Sequence, residues 1–182
     1  MLKSRRGFSL VESLVVMVIL GILLGIAGPN LANWLSGNRV RFKAEGLHSG
    51  ISLARSNALK RNARVFFRFS SDSSWTVGCV TAVTADRDGD GVADCPATIE
   101  RKTRGEEGSN VVLTVTPSGT NMLTYSSIGR LVANGDGSAP VAQIDVSASG
   151  TTTVWSLVIS GTGQARVCNA ALNGTGSSNA CS

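Results

Sequence analysis

The sequence is poor in the residue types that most enzymes depend on. Among 182 residues there is one histidine, His48, one tyrosine, Tyr125, and only 5% aromatic residues in all. One imidazole gives little basis for a Ser-His-Asp or metal-hydrolase constellation, and no Walker-type phosphate loop is present, so no catalysis and no small-molecule substrate are expected. A strong excess of one charge is also lacking: 17 Lys+Arg face 12 Asp+Glu, for a net +5. Three of those cations, Lys3, Arg5 and Arg6, sit in the first seven residues, and the chain without them carries about +2 by side chains. A globally basic nucleic-acid binder is therefore not indicated. No cysteine precedes Cys79, and neither the four cysteines nor His48 have the spacing of a zinc site.

What the chain does have is an unusual opening. The basic head leads into Gly7-Phe8-Ser9-Leu10-Val11-Glu12 and then an almost unbroken apolar run from 13 to 28. A carboxylate inside such a run costs roughly 2.5 kcal/mol or more at the centre of a bilayer, so Glu12 needs a reason. A secretory signal peptide accounts for the head and for a small-residue exit at Gly25-Ile26-Ala27, but not for the acid. A plain membrane anchor needs about 20 apolar residues, which 8–27 supplies, and again leaves Glu12 unexplained. The stretch resembles the leader of type IV pilins and pseudopilins, which a prepilin peptidase cuts between Gly and Phe before methylating the new amine. That resemblance implies cleavage and methylation at Gly7 and Phe8, and makes Glu12 the fifth residue of the mature chain. It also implies that Glu12 pairs with the free amine of Phe8 on a neighbouring subunit, which fits the rule that a buried charge needs a partner.

Past Pro29 the apolar residues form a stripe, Val40, Ala44, Leu47, Ile51, Ala54 and Ala58, with steps of four and three. That period predicts one long helix over 11–61, about 75 Å at 1.5 Å per residue, with Pro29 bending it or breaking one hydrogen bond. Arg39, Arg41, Lys43, Arg55, Lys60 and Arg61 occupy its other faces against Glu45 alone. They read as a solvated face; subunit contacts or attraction to anionic groups are the functional alternatives. From 64 onward the pattern shortens to β-branched and aromatic runs at 65–69, 75–83, 111–116, 122–125, 141–146, 153–159 and 165–168. The 21 glycines and frequent serines and asparagines between them suit turns, and Ser160-Gly161-Thr162-Gly163 reads as a hairpin turn. The expected class is α+β, a long N-terminal helix packed on an antiparallel β-sandwich-like head, with its second half laid against one sheet. The expected divisions are 1–7 as a cleaved cytoplasmic leader, 8–28 as a transmembrane half-helix, 29–63 as an amphipathic half and 64–182 as a periplasmic head.

By the positive-inside rule the leader cations keep the N-terminus in the cytoplasm. The four cysteines then face an oxidising compartment and form two disulfides. Of three pairings, Cys79 with Cys95 and Cys168 with Cys181 are favoured, because each brackets a Gly- or Asp-rich loop with little apolar content. The tail 169–182 has only the second bridge to hold it. The first bridge encloses Asp86-Arg87-Asp88-Gly89-Asp90-Gly91-Val92-Ala93-Asp94, the opening of an EF-hand-like loop. Asp86, Asp88, Asp90, the Val92 carbonyl and Asp94 are candidate calcium ligands, but the twelfth position is Ala97 rather than a bidentate glutamate. No cofactor is required by this reading and calcium is the candidate one; ordinary Asp-Gly turn chemistry is the alternative.

The opening, the Leu53-Ala54-Arg55-Ser56-Asn57-Ala58 segment, the Trp75 and Gly78 strand and the 163–168 ending together are similar to minor pilins and pseudopilins of the FimU, FimT and GspH type. The resemblance implies a β-sandwich head on a long helix. It also implies insertion in the inner membrane with a periplasmic head, and then assembly with other minor and major pilins into the tip or priming complex of a surface pilus. Two alternatives remain, a GspH-type pseudopilin of type II secretion and a FimT-like DNA receptor. In FimT-type proteins a Gly-Arg-x-Arg stretch holds phosphates; here Gly163-Gln164-Ala165-Arg166 keeps one of the two arginines, with Arg130 as the other candidate.

Overall fold

The computed structural model describes residues 9–87, 89, 93–103, 111–149, 151–172, 174, 177 and 179–181, without side chains at 26–33. One helix, α1 (Leu10–Lys60), is followed by β1 (Val65–Phe69), β2 (Trp75–Cys79), β3 (Glu100–Lys102), β4 (Val111–Thr116) and β5 (Met122–Tyr125). Then come β6 (Leu131–Val132), β7 (Gln143–Ala148), β8 (Trp155–Ile159), β9 (Ala165–Asn169) and a short 3-10 turn, Ala170–Leu172. The strands form two antiparallel sheets, in the orders β3-β2-β1-β5-β6 and β4-β7-β8-β9. This is the α+β architecture expected from the sequence.

α1 starts at Ser9, whose hydroxyl accepts the Glu12 N–H at 3.2 Å. A Ser cap with an acid three residues on is the usual chemistry of a helix start. The helix continues through Pro29 to Lys60 as one element. Its stripe is the centre of the core: Val40, Ala44, Leu47, Ile51, Ala54 and Ala58 are each at most 1% exposed. They meet Val65, Phe67, Val77, Leu123 and Tyr125 from one sheet and Ile144, Val146 and Leu157 from the other. The helix therefore packs against strands of both sheets, β1, β2 and β5 as well as β7, β8 and β9, and not against one as expected. Gly50 makes the close approach feasible, since a β-carbon there would lie 2.5 Å from the Phe67 ring and 3.0 Å from Trp75.

β1, β4 and β5 coincide with the predicted runs, while β2 stops at Cys79 and leaves Val83 as an isolated bridge to Cys95. β7 runs two residues later than the apolar pattern at each end, because Val141 is buried ahead of it without joining the ladder. β3 and β6 have no counterpart in the predicted strands. β3 is Glu-Arg-Lys, exposed throughout, and forms because the outer edge of β2 offers it backbone partners. The tail also departs from expectation: besides the Cys168–Cys181 disulfide, Asn169 N–H donates to Asn179 O at 2.7 Å and Arg166 Nη2 to Ala180 O at 2.6 Å.

Candidate functional site

The chemistry-bearing residues fall in three places. The first is the N-terminal half of α1. Leu10 is 82% exposed, Met17 74% and Leu24 65%, and the other large apolar residues between them are exposed as well. Glu12 sits in the first helical turn on this surface, exposed, where the helix dipole favours an acid. Gly7 and Phe8, the cleavage and methylation pair, lie outside the described residues. Among the described residues no helix is long and apolar enough to cross a membrane. Residues 10–25 span roughly 24 Å against a hydrocarbon core of about 30 Å.

The second is the loop closed by Cys79–Cys95. Asp88, Asp90 and Val92 lie outside the described residues. Asp86 Oδ1 accepts the Gly89 N–H at 2.8 Å, an Asx-type turn. Asp94 Oδ1 accepts the Arg87 N–H at 3.2 Å, and its Oδ2 lies 3.7 Å from Arg87 Nε. Among the described residues no three acids or other ligating groups come together as a metal site. Arg61 at the end of α1 holds this loop by donating to Ala93 O at 3.1 Å and Asp94 O at 2.7 Å.

The third is a groove of about 480 Å³ between the last turns of α1 and the β8–β9 hairpin, lined by Arg55, Ser56 and Leu59 on one side and Gln164, Ala165 and Arg166 on the other. Gly163 builds its end. With φ of +83° it turns the hairpin, and a β-carbon there would stand 2.6 Å from Gly129 O and 2.8 Å from the Tyr125 ring. Only glycine combines that conformation with that approach. Tyr125 OH donates to Gly163 O at 3.1 Å, and Arg55 Nε donates to Gly129 O at 3.0 Å, so the turn before Arg130 and the hairpin are tied together under the helix. Burial pushes the Tyr125 phenol up to about 12, with the nearby Arg55 charge working in the opposite direction. His48 Nε2 binds Ala165 O at 3.1 Å.

Of the two arginines considered for phosphate binding, Arg166 lines the groove and Arg130 follows the turn that closes it. Arg55 is not among the site residues expected from the sequence. Its signal is its place in the Leu53–Ala58 segment one helical turn after Ile51, but a cation beside a buried stripe reads first as solvated. Two of the cations expected to be solvated are in fact tethers: Arg55 holds the 126–129 turn and Arg61 holds the acidic loop, whereas Arg41 is exposed, paired with Glu45 at 2.8 Å and 5.3 Å from the Trp155 ring.

The family comparisons agree with this geometry. A model of type II transport protein GspH matches residues 43–176, which takes in the packing half of α1 and nearly all of the head. The chain belongs to the GspH family. A second model, the prokaryotic N-terminal methylation motif, matches residues 2–28, the region of Gly7, Phe8 and Glu12. This motif and the family imply membrane anchoring, pilus assembly and contact with other pilins. The pilin-like protein PilA1 of Thermus thermophilus is 44% identical over 64 residues, a match spanning 34% of this chain and only 38% of that protein. The crystal structure of the type IV minor pilin FimU of Pseudomonas aeruginosa aligns with a TM-score of 0.52 at 18% identity, over 71% of this chain and 88% of that one. Family and fold are thus those of structural pilins, as the sequence resemblance implied.

Proposed function

We propose that the protein is a structural minor pilin, carried by the N-terminal half of α1 into the tip or priming complex of a type IV pilus together with other minor and major pilins. The supporting observation is the contrast along one helix: large apolar side chains that the head leaves exposed as far as Leu24, then a stripe at most 1% exposed from Val40. The exposed half has the composition to be covered by the inner membrane first and by neighbouring helices afterwards. Prepilin peptidase removes 1–7, and the freed Phe8 amine of one subunit neutralises Glu12 of the next. The head stays periplasmic before assembly and on the cell surface after it.

Breaking a buried charge pair by removing one member costs about 3–5 kcal/mol. Glu12→Ala is therefore expected to lower the amount of this chain in sheared pili by well over tenfold while its membrane level is unchanged. Normal incorporation of the variant contradicts the proposal. The GspH family match supports a second reading, a pseudopilin of type II secretion. Deleting the gene separates the two: loss of surface pili supports the first, and loss of exoprotein secretion with intact pili supports the second.

A further inference from the structure

The groove between α1 and the β8–β9 hairpin has an arrangement that assembly through the N-terminal helix does not use. Its lining includes two guanidinium groups, Arg55 and Arg166, and no acid. Arg55 spends Nε on Gly129 O, its sole polar partner among the described residues, which fixes the guanidinium plane and leaves both terminal nitrogens for another acceptor. The backbone of β9 adds to this. Ser160 N–H donates to Gln164 O at 2.8 Å, so Gln164 and Arg166 are the positions hydrogen-bonded to β8, and Ala165 and Val167 turn their N–H and C=O groups outward. The outward Ala165 carbonyl is taken by His48, and outward Asn169 N–H by the tail. The Ala165 and Val167 N–H groups are the outward donors between those two caps. Leu59, 51% exposed, supplies apolar surface in the lining.

We infer that this groove docks an extended, acidic segment of a partner protein, with a carboxylate on the Arg55 fork, backbone acceptors facing β9 and an apolar neighbour against Leu59. A carboxylate matches a guanidinium held by one nitrogen, since the remaining two present a bidentate face. An extended peptide suits an edge that offers backbone donors at alternate residues. With two cations in its lining, the groove suits such a strand better than duplex nucleic acid, whose many phosphate contacts need a broad basic face.

The test uses the full-length chain in detergent micelles and fluorescence anisotropy with three labelled probes. These are Ser-Val-Glu-Val-Glu-Ser, the same peptide with Gln for Glu, and a short single-stranded oligothymidylate. Gln164 lines the groove, is exposed, and among the described residues its hydrogen bonds use only its backbone atoms, so Gln164→Glu adds a repelling charge without removing any of them. The Glu peptide is expected to bind about tenfold or more tightly than the Gln peptide, and both Gln164→Glu and Arg55→Gln are expected to remove most of that preference. No binding of the Glu peptide, binding indifferent to Gln164→Glu, or tighter binding of the oligothymidylate at the same groove overturns the inference. None of these outcomes bears on the Glu12 test of assembly, which concerns the other end of the molecule.

Discussion

The two halves of α1 are built from similar apolar residues yet live in opposite surroundings. Val16 and Ile19 are 56% and 52% exposed, whereas Val40 and Ile51 are at most 1% exposed. Both halves are helical and continuous, so propensity does not distinguish them; what differs is the period. In the first half apolar residues cover every face, while in the second the buried ones keep to one stripe, with cations on the other faces and Phe42 and Leu59 exposed among them. A stripe can be satisfied by one head. A helix that is apolar all round needs a surrounding partner, and burying each Val, Leu or Ile side chain is worth about 1.5–3 kcal/mol. The head thus satisfies its own half and leaves the other half for lipid or for neighbouring subunits.

The largest effect that sharpens this contrast is a pair of matched substitutions. Ile51→Asp buries an unpaired carboxylate among Phe67, Leu123 and Leu157 and is expected to destabilise the head by more than about 4 kcal/mol, enough to lose cooperative melting. Val16→Asp is expected to leave the melting temperature of the head unchanged, which thermal unfolding followed by circular dichroism checks. Next in size, Gly163→Ala strains φ of +83° and drives a methyl into Gly129 O. It is expected to cost about 2–4 kcal/mol and to loosen the docking of the hairpin on the packing half, measured by denaturant unfolding.

The pH response is smaller and confined to alkaline solution. Tyr125 is raised from 10.0 to about 12 in the fold. The native state therefore holds the phenol proton more tightly than the unfolded chain does. Its contribution is complete below pH 10 and is lost as pH rises toward 12, so stability should fall across that window, and Tyr125→Phe should flatten the fall. Smallest of all, calcium against a chelator is expected to shift the melting temperature by less than about 1 °C. Asp94 is engaged by Arg87, and Arg61 already ties the loop to the end of α1. A shift of several degrees would assign that anchorage to a metal instead.

Most of the architecture was legible because it rests on period. The stripe from Val40 to Ala58 and the alternation of β1 and β4 are direct consequences of 3.6-residue and 2-residue repeats meeting one core. β3 and β6 were not legible, since charged Glu100-Arg101-Lys102 and the two-residue Leu131–Val132 pair have no apolar pattern and exist only because a neighbouring strand edge receives them. The groove was half legible. Gly163 and Arg166 stood out as a motif, but Arg55 gains its place from a carbonyl 74 residues away, and His48 from one 117 residues away. Such pairings follow from the way two sheets share one helix, which local sequence does not encode.

In the membrane the N-terminal half of α1 is expected to be covered by something other than its own head. All four cysteines are paired, so Val16→Cys introduces a unique thiol for a spin label. With the protein in native membranes, the label is predicted to collide with oxygen, which partitions into lipid, and to be shielded from a water-soluble nickel chelate. Free collision with the nickel chelate would contradict the account.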